Sequence, residues 1–313
     1  MGRASEGRTA ARMSAAMVEV TPPYDLSRSL AIAAAFAPTV GQPPGLLRFA
    51  VRIGGRIEAI EVRQTTKSTL CASYAAGGDR RAVQRTVGWR VLADLDLRPF
   101  YRLAARHPAL APILRRLRGL KPMRPAGLFE MAVVAITEQQ ISLAAAYAIR
   151  TRLVERFGYP AQGCWVFPDA GRLAAATLRQ LRSTGLSRAK AGYVRALARD
   201  LESGRVDLDA IAALPDADAH DALMNIRGFG PWSADYVLVR GMARPDRVPL
   251  DDLGIRDVVG RRLGSGARAS SSETGKLLAP FAPYRGLAAF YLLAEDRSAA
   301  AAARAPLTRR GRL

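Results

Sequence analysis

Ile226-Arg227-Gly228-Phe229-Gly230-Pro231-Trp232-Ser233-Ala234-Asp235-Tyr236, followed further on by Pro249-Leu250-Asp251-Asp252-Leu253, is the stretch that decides the architecture. Before the turn Ala222, Leu223 and Ile226 recur at helical spacing, and after it Ala234, Val237 and Leu238 do so until Gly241 offers a stop. Two helices therefore meet at a very short hairpin. Gly228 and Gly230 supply backbone freedom, and Pro231 suits the first helical position, where a missing N–H costs least. The amides of Gly228, Gly230 and Trp232 are expected to point outward together. Unpaired N–H groups at a helix start carry partial positive charge, so a phosphate is their natural ligand. A plain helical hairpin whose glycines only turn the chain would show the same pattern.

Charge favours the phosphate. The chain has 47 Lys+Arg against 27 Asp+Glu, a net of +20, and nearly all of the excess is arginine. Such a field attracts a polyanion, although solvated arginines account for part of it. Arg309, Arg310 and Arg312 sit in an Ala-rich terminus, whereas Arg115, Arg116, Arg118, Lys121, Arg188, Lys190 and Arg195 fall in segments that read as folded. Cys71 and Cys164 are too few and too isolated for a zinc site, an iron–sulfur cluster or a disulfide framework. His107 and His220 are not spaced as metal ligands, so neither metal nor cofactor is expected. No apolar run reaches membrane-spanning length and residues 1–20 lack a signal peptide's apolar region, so a cytoplasmic protein is expected.

The pattern divides the chain. Residues 1–20 are Ala, Arg, Ser and Gly without periodicity and read as a disordered leader. From Leu46 to Tyr74 the chain alternates: Leu47, Phe49, Val51 and Ile53, then Ile57, Ala59 and Glu61, then Ser68, Leu70 and Ala72, with Gly54-Gly55 between the first two runs. That is a small antiparallel sheet with a hairpin. Helical stripes dominate after residue 93, among them Leu97, Phe100, Leu103 and Ala104, then Leu110, Ile113, Leu114 and Leu117. The expected fold class is α+β: an N-terminal domain over 21–118, a helical domain over 119–296 and a basic tail over 297–313.

Taken together, Tyr24-Asp25-Leu26, Phe129 to Val133, Glu138-Gln139-Gln140-Ile141-Ser142, Leu186 to Ala191, the hairpin, Asp251 to Arg256 and Pro283-Tyr284-Arg285 carry a resemblance. In this order and spacing the chain resembles the helix-hairpin-helix-GPD DNA glycosylases, specifically the monofunctional 3-methyladenine DNA glycosylase II (alkylpurine) branch. The resemblance implies cleavage of the N-glycosidic bond of a base swung out of the duplex. The base's departure gives the deoxyribose oxocarbenium character, which a carboxylate on its face stabilises. The family's pattern assigns that role to Asp252, before Leu253-Gly254-Ile255-Arg256; counting from Pro249 would pick Asp251, and either also suits a helix cap.

Bifunctional members carry a lysine just after the hairpin, where this chain has Trp232, so base removal without strand cleavage is expected. Trp232 and Tyr236 lie four apart on one helix face; on spacing alone they read as core, but by the resemblance they match pocket positions, where aromatic rings attract a cationic alkylpurine. A cationic base leaves without a general acid. Three departures stand out: Leu293 replaces a pocket tryptophan, Gln140 takes the place of an apolar DNA-intercalating wedge, and Tyr284 replaces a common Trp. The expected DNA contacts are Gly228, Phe229, Gly230, Gln140, Arg188 and Lys190, the last two following an N-cap at Ser187. Hairpins of this kind often hold a monovalent cation, here through carbonyls near Met224 and Arg227. The expected partner is double-stranded DNA bearing damaged bases, bound by a monomer, with no membrane or protein partner implied. A same-fold glycosylase for deaminated or oxidised bases and a non-catalytic damage sensor are the rival readings. The sensor would need the hairpin but not the carboxylate.

Overall fold

The computed structural model describes residues 13–36, 43 and 45–304. Its main sheet has four antiparallel strands, β1 (Met13–Glu19), β2 (Leu46–Ile53), β3 (Arg56–Gln64) and β4 (Thr69–Ala75), in the order β1-β4-β3-β2. Gly54 and Gly55 have φ of +55° and +80°, the left-handed pair a two-residue hairpin turn requires. This turn sets Leu47 opposite Val62 and Phe49 opposite Ile60. Because partners across an antiparallel pair share a face, the buried set on β3 is Glu58, Ile60 and Val62 rather than the expected Ile57, Ala59 and Glu61.

The leader reading also fails for residues 13–19. They form β1, pairing Val18 with Leu70 and burying Ala16 and Val18. An Ala-rich edge strand carries a weak alternation, which is why it passed for low complexity. Residues 1–12 lie outside the described residues.

Helix α1 (Leu26–Phe36) lies between β1 and β2 in the chain, and α2 (Arg80–Val91) covers the sheet. The inner face of α2 is Val83, Val87 and Val91, one stripe at helical spacing whose burial is worth about 1.5 kcal/mol or more per residue. Its C-terminal end is closed by Lys121, whose ammonium donates to the carbonyls of Leu92 and Ala93 at 2.9 and 3.0 Å. Burial pushes Lys121 down to about 8, and its charge serves as a structural cap within the fold.

The rest is helical: α3 (Arg98–Ala104), α4 (Ala111–Arg116), α5 (Leu128–Glu138), α6 (Leu143–Phe157), then an unanticipated hairpin of β5 (Tyr159–Ala161) and β6 (Cys164–Val166) beside β2. There follow α7 (Ala170–Ala175), α8 (Leu178–Arg182), α9 (Arg188–Glu202), α10 (Leu208–Ala213), α11 (Asp216–Met224), α12 (Pro231–Arg240), α13 (Leu253–Leu263), α14 (Ser271–Leu278) and α15 (Arg285–Arg304). The tail expected from residue 297 is thus helical to Arg304, and residues 305–313 lie outside the described set.

Three cores form. The sheet and α2 enclose one, with Leu26, Ile60, Leu70 and Val87. A second packs α3 and α4 against α13 and α15, joining Leu97, Phe100 and Leu110 to Val258 and Tyr291. A third gathers around α5, which is buried at Leu128 and from Met131 through Glu138, the pattern of a helix surrounded by others. A boundary at residue 118 would cut α3 and α4 off from the C-terminal helices they pack on. The helical region instead consists of two clusters, and the chain crosses between them around residues 120–128 and 242–248.

Candidate active site

Helices α11 and α12 meet through the predicted turn, closed by Ile226 N–H donating to Leu223 and Phe229 N–H to Ile226, each at 3.0 Å. Gly228 has φ +90°, and a Cβ there would lie 2.3 Å from the Tyr193 ring of α9, so both conformation and packing demand glycine. Gly230 is different. A Cβ on it would meet nothing within 4 Å, which leaves open space over the turn. Pro231 opens α12, and the first bond into the helix runs from Ala234 N–H to Gly230. The amides ahead of it are the unpaired ones a helix start leaves. Among the described residues, the carbonyls of Met224 and Arg227 accept no recorded hydrogen bond.

The turn is braced from α5. Gln139 Nε2 donates to the Gly228 carbonyl and to Ser233 Oγ, both at 2.8 Å. Lys190, expected on DNA, is turned the other way: its ammonium donates to the carbonyls of Thr137 at 2.9 Å and Gln139 at 2.6 Å, closing the end of α5. Cations satisfy the orphan carbonyls at a helix C-terminus. Lys190 therefore positions the turn that follows α5 instead of reaching outward. Gln140 forms the tip of that turn, exposed, with φ +53° and the exposed Ile141 beside it. Ser187 caps α9 by accepting from Lys190 N–H, and Arg188 is exposed. Phe229 is partly buried against the α5 core, so its ring serves packing more than contact outside.

Trp232 and Tyr236, four apart on α12, stack with ring centroids 4.8 Å apart and planes inclined by 21°. The Trp232 indole N–H donates to Asp252 Oδ2 at 3.0 Å, while Asp252 Oδ1 accepts Ile255 N–H at 2.9 Å as the N-cap of α13. Asp252 is thus an N-cap whose second oxygen is held beside the aromatic pair. Asp251 is exposed and accepts from Ser271 Oγ. Leu293 on α15 is partly buried, and a Cβ built on Gly254 would lie 3.7 Å from its Cδ2 and 3.2 Å from Asp252 Oδ1, so Leu293 stands near the carboxylate.

Glu138, within the Glu138-to-Ser142 motif, belongs to the site although its sequence context assigns it no role. It is buried at the end of α5, with Oε2 accepting the Tyr236 O–H at 2.8 Å and Oε1 accepting Arg150 at 3.0 Å. Burial, and then the Glu138 carboxylate, push the Tyr236 phenol far above its ordinary range, so it stays a donor. The available signal was a charged residue soon after the apolar run over residues 131–136.

A groove of about 680 Å³ lies beside the hairpin, on α9's solvent face. It is lined by Arg188, Arg195, Arg199, Arg205 and Arg227, together with Tyr193. Arg205 is tied to Asp200, whereas Arg188, Arg195 and Arg227 have no partner among the described residues. Among the described residues no cluster of His, Cys, Asp and Glu could hold a metal ion, and no single helix is long and apolar enough to cross a membrane.

Residues 133–283 match the model of the HhH-GPD superfamily base excision DNA repair proteins. A DNA-3-methyladenine glycosylase of Bacillus subtilis is 32% identical over 203 residues, covering 64% of this chain and 67% of that protein. The chain belongs to the HhH-GPD superfamily. Among solved structures, the 3-methyladenine DNA-glycosylase of Archaeoglobus fulgidus superposes with a TM-score of 0.78 at 22% identity, over 90% of this chain and 98% of that one. An 8-oxoguanine glycosylase/lyase of Clostridium acetobutylicum, bound to double-stranded DNA, superposes at 0.71 with 16% identity, over 89% and 93%. The fold of this chain is thus shared with proteins named for different damaged bases.

Proposed function

We propose that this chain is a monofunctional DNA glycosylase of base excision repair, which hydrolyses the N-glycosidic bond of alkylated purines of the 3-methyladenine type and leaves an abasic site. The hydrogen bond from Trp232 to Asp252 carries the reading, because it joins a carboxylate to a stacked aromatic pair in one rigid unit. A flipped purine against the rings would present its sugar to Asp252. As the bond to the base breaks, positive charge grows on the deoxyribose, and a preorganised carboxylate lowers that barrier. Among the described residues Asp252 has two recorded partners, both N–H groups and neither a cation, so its charge is left for the sugar. Alkylation makes the base cationic and a good leaving group, which removes the need for an acid.

The lysines support removal without strand cleavage. Of the four in the chain, Lys121 and Lys190 are helix caps, Lys67 lies between β3 and β4, and Lys276 is on α14; the position after the hairpin is Trp232. For binding, the open hairpin at Gly230, the exposed Gln140 and the free guanidiniums of Arg188, Arg195 and Arg227 would meet the duplex, with phosphates neutralised by the arginines. A monovalent cation on the free carbonyls of Met224 and Arg227 would reinforce the turn. The protein would act as a monomer, at the nucleoid.

The test is release of free base from methylated duplex DNA by the wild type and by Asp252→Asn, with duplex affinity and strand nicking followed in parallel. The expected result is a fall of roughly 100-fold or more in release by the variant, affinity retained, and strands that stay intact until alkali is added. A wild type that releases nothing from methylated DNA, or that nicks the strand itself, overturns the reading.

A further inference from the structure

Glu138 is a charged side chain in the middle of the α5 core, and the glycosylase mechanism above does not use it. Its carboxylate sits between two groups: Tyr236 O–H at 2.8 Å on one oxygen, and Arg150 at 3.0 Å on the other. Its side chain is 5% exposed, against 22% for Arg150, so the arginine reaches toward solvent while the carboxylate stays inside. Arg150 also lies over the Tyr147 ring at 4.5 Å. Arg240 acts on Tyr236 electrostatically as well, in the sense opposite to Glu138. A buried carboxylate is costly to maintain, and an apolar residue would fill the end of an apolar helix at less expense in desolvation.

The two rings are wired alike. Trp232 donates its N–H to Asp252 and Tyr236 donates its O–H to Glu138, so each member of the stack gives its one polar hydrogen to a carboxylate. A ring donating to an anion gains electron density, and a denser π-face holds a cation more strongly than a neutral group. We infer that Glu138 is a specificity-determining residue of the base pocket, its carboxylate acting through the Tyr236 hydroxyl to favour cationic purines over neutral ones. This rests on the glycosylase reading. Glu138 is a positioning residue that does not touch the base; its effect passes through the Trp232–Tyr236 pair. Arg150 pairs with the far oxygen and so does not stand between the carboxylate and the tyrosine.

The experiment compares single-turnover release of 3-methyladenine and of hypoxanthine, a neutral purine, from otherwise identical duplexes. Where hypoxanthine release is too slow to time, affinity for the hypoxanthine duplex takes its place. The variants are Glu138→Gln, which keeps an oxygen for the Tyr236 hydroxyl but loses the charge, Glu138→Gln with Arg150→Gln, which restores local neutrality, and Tyr236→Phe, which keeps the ion pair and removes the donor. The expected result is a preference for 3-methyladenine lowered about tenfold in both Glu138 variants and in the same direction in Tyr236→Phe, corresponding to about 1.4 kcal/mol. Equal losses on both lesions would make Glu138 a purely structural group and overturn the inference, as would an unchanged preference. If Glu138→Gln fails to fold, Tyr236→Phe alone decides by the same ratio. A wild type that releases neither base fails the glycosylase reading instead, so the two failures are distinguishable.

Discussion

At one end of the Trp232–Tyr236 stack, Asp252 is half-exposed, caps α13 and has no cationic partner among the described residues; at the other, Glu138 is buried and paired with Arg150. Both carboxylates accept from a ring, yet their surroundings divide the work. An anion whose partners are only N–H dipoles keeps its attraction for a cation that forms later, during reaction. An anion already matched with a guanidinium has spent that attraction on the ground state and can act only by holding its neighbour. The division predicts that disturbing the Glu138 end is felt first as stability and the Asp252 end as rate.

The sharpest way to break this division is Arg150→Met. Removing the cation leaves a buried charge uncompensated, at a cost of about 3 kcal/mol. It should appear as a lowered denaturation midpoint with an unchanged slope, and removing Glu138 as well in Glu138→Met/Arg150→Met should recover part of it. A single variant as stable as the wild type would mean that Glu138 is not held as a buried ion pair. Trp232→Phe probes the opposite end. It keeps a ring against Tyr236 but deletes the N–H that fixes Asp252, so base release should fall about tenfold, the consequence of losing a hydrogen bond to a charged group worth about 1.5 kcal/mol. The midpoint should move less than in Arg150→Met. The reverse ranking would collapse the distinction between the two ends.

How much of this was legible follows the range of the interactions. The hairpin was readable because its glycines, proline and apolar spacing act within a few residues: Pro231 does open α12, and Gly241 does end it. The pairing of Trp232 with Tyr236 on one face followed from helical spacing alone. The bond between Trp232 and Asp252 spans 20 residues, that between Glu138 and Tyr236 spans 98, and no local rule links either pair. Lys190 was misplaced for the same reason. Its ammonium reaches carbonyls 51 and 53 positions away, which the sequence around Ser187 does not advertise. Lys121 hides a similar reach under an ordinary basic motif. The inverted face of β3 was a register error, decided by two turn residues rather than by the strand's own pattern.

The smallest effect tests whether the Glu138 end is also where the protein meets the helix of DNA. Glu138, Gln139 and Gln140 are consecutive and do three separate things: the first holds Tyr236, the second braces Gly228 and Ser233, and the third stands exposed with φ +53°. A non-glycine residue in that conformation costs about 1 kcal/mol, and such strain persists where the surrounding structure enforces it. Here the enforcement is visible, since Lys190 pins the carbonyls of Thr137 and Gln139 and Gln139 is fastened to the hairpin. Gln140→Gly should therefore raise stability by up to about 1 kcal/mol, less the entropy glycine adds to the unfolded chain. At the same time the side chain that would occupy the gap behind a flipped nucleotide disappears, so release from duplex DNA should fall several-fold while release from a single strand, which needs no flipping, changes little. Gln140→Ala removes the side chain without relieving the backbone and should lose the activity without gaining the stability. A Gln140→Gly variant as active on duplex as the wild type would leave Ile141, exposed at the same turn, as the side chain that fills the gap.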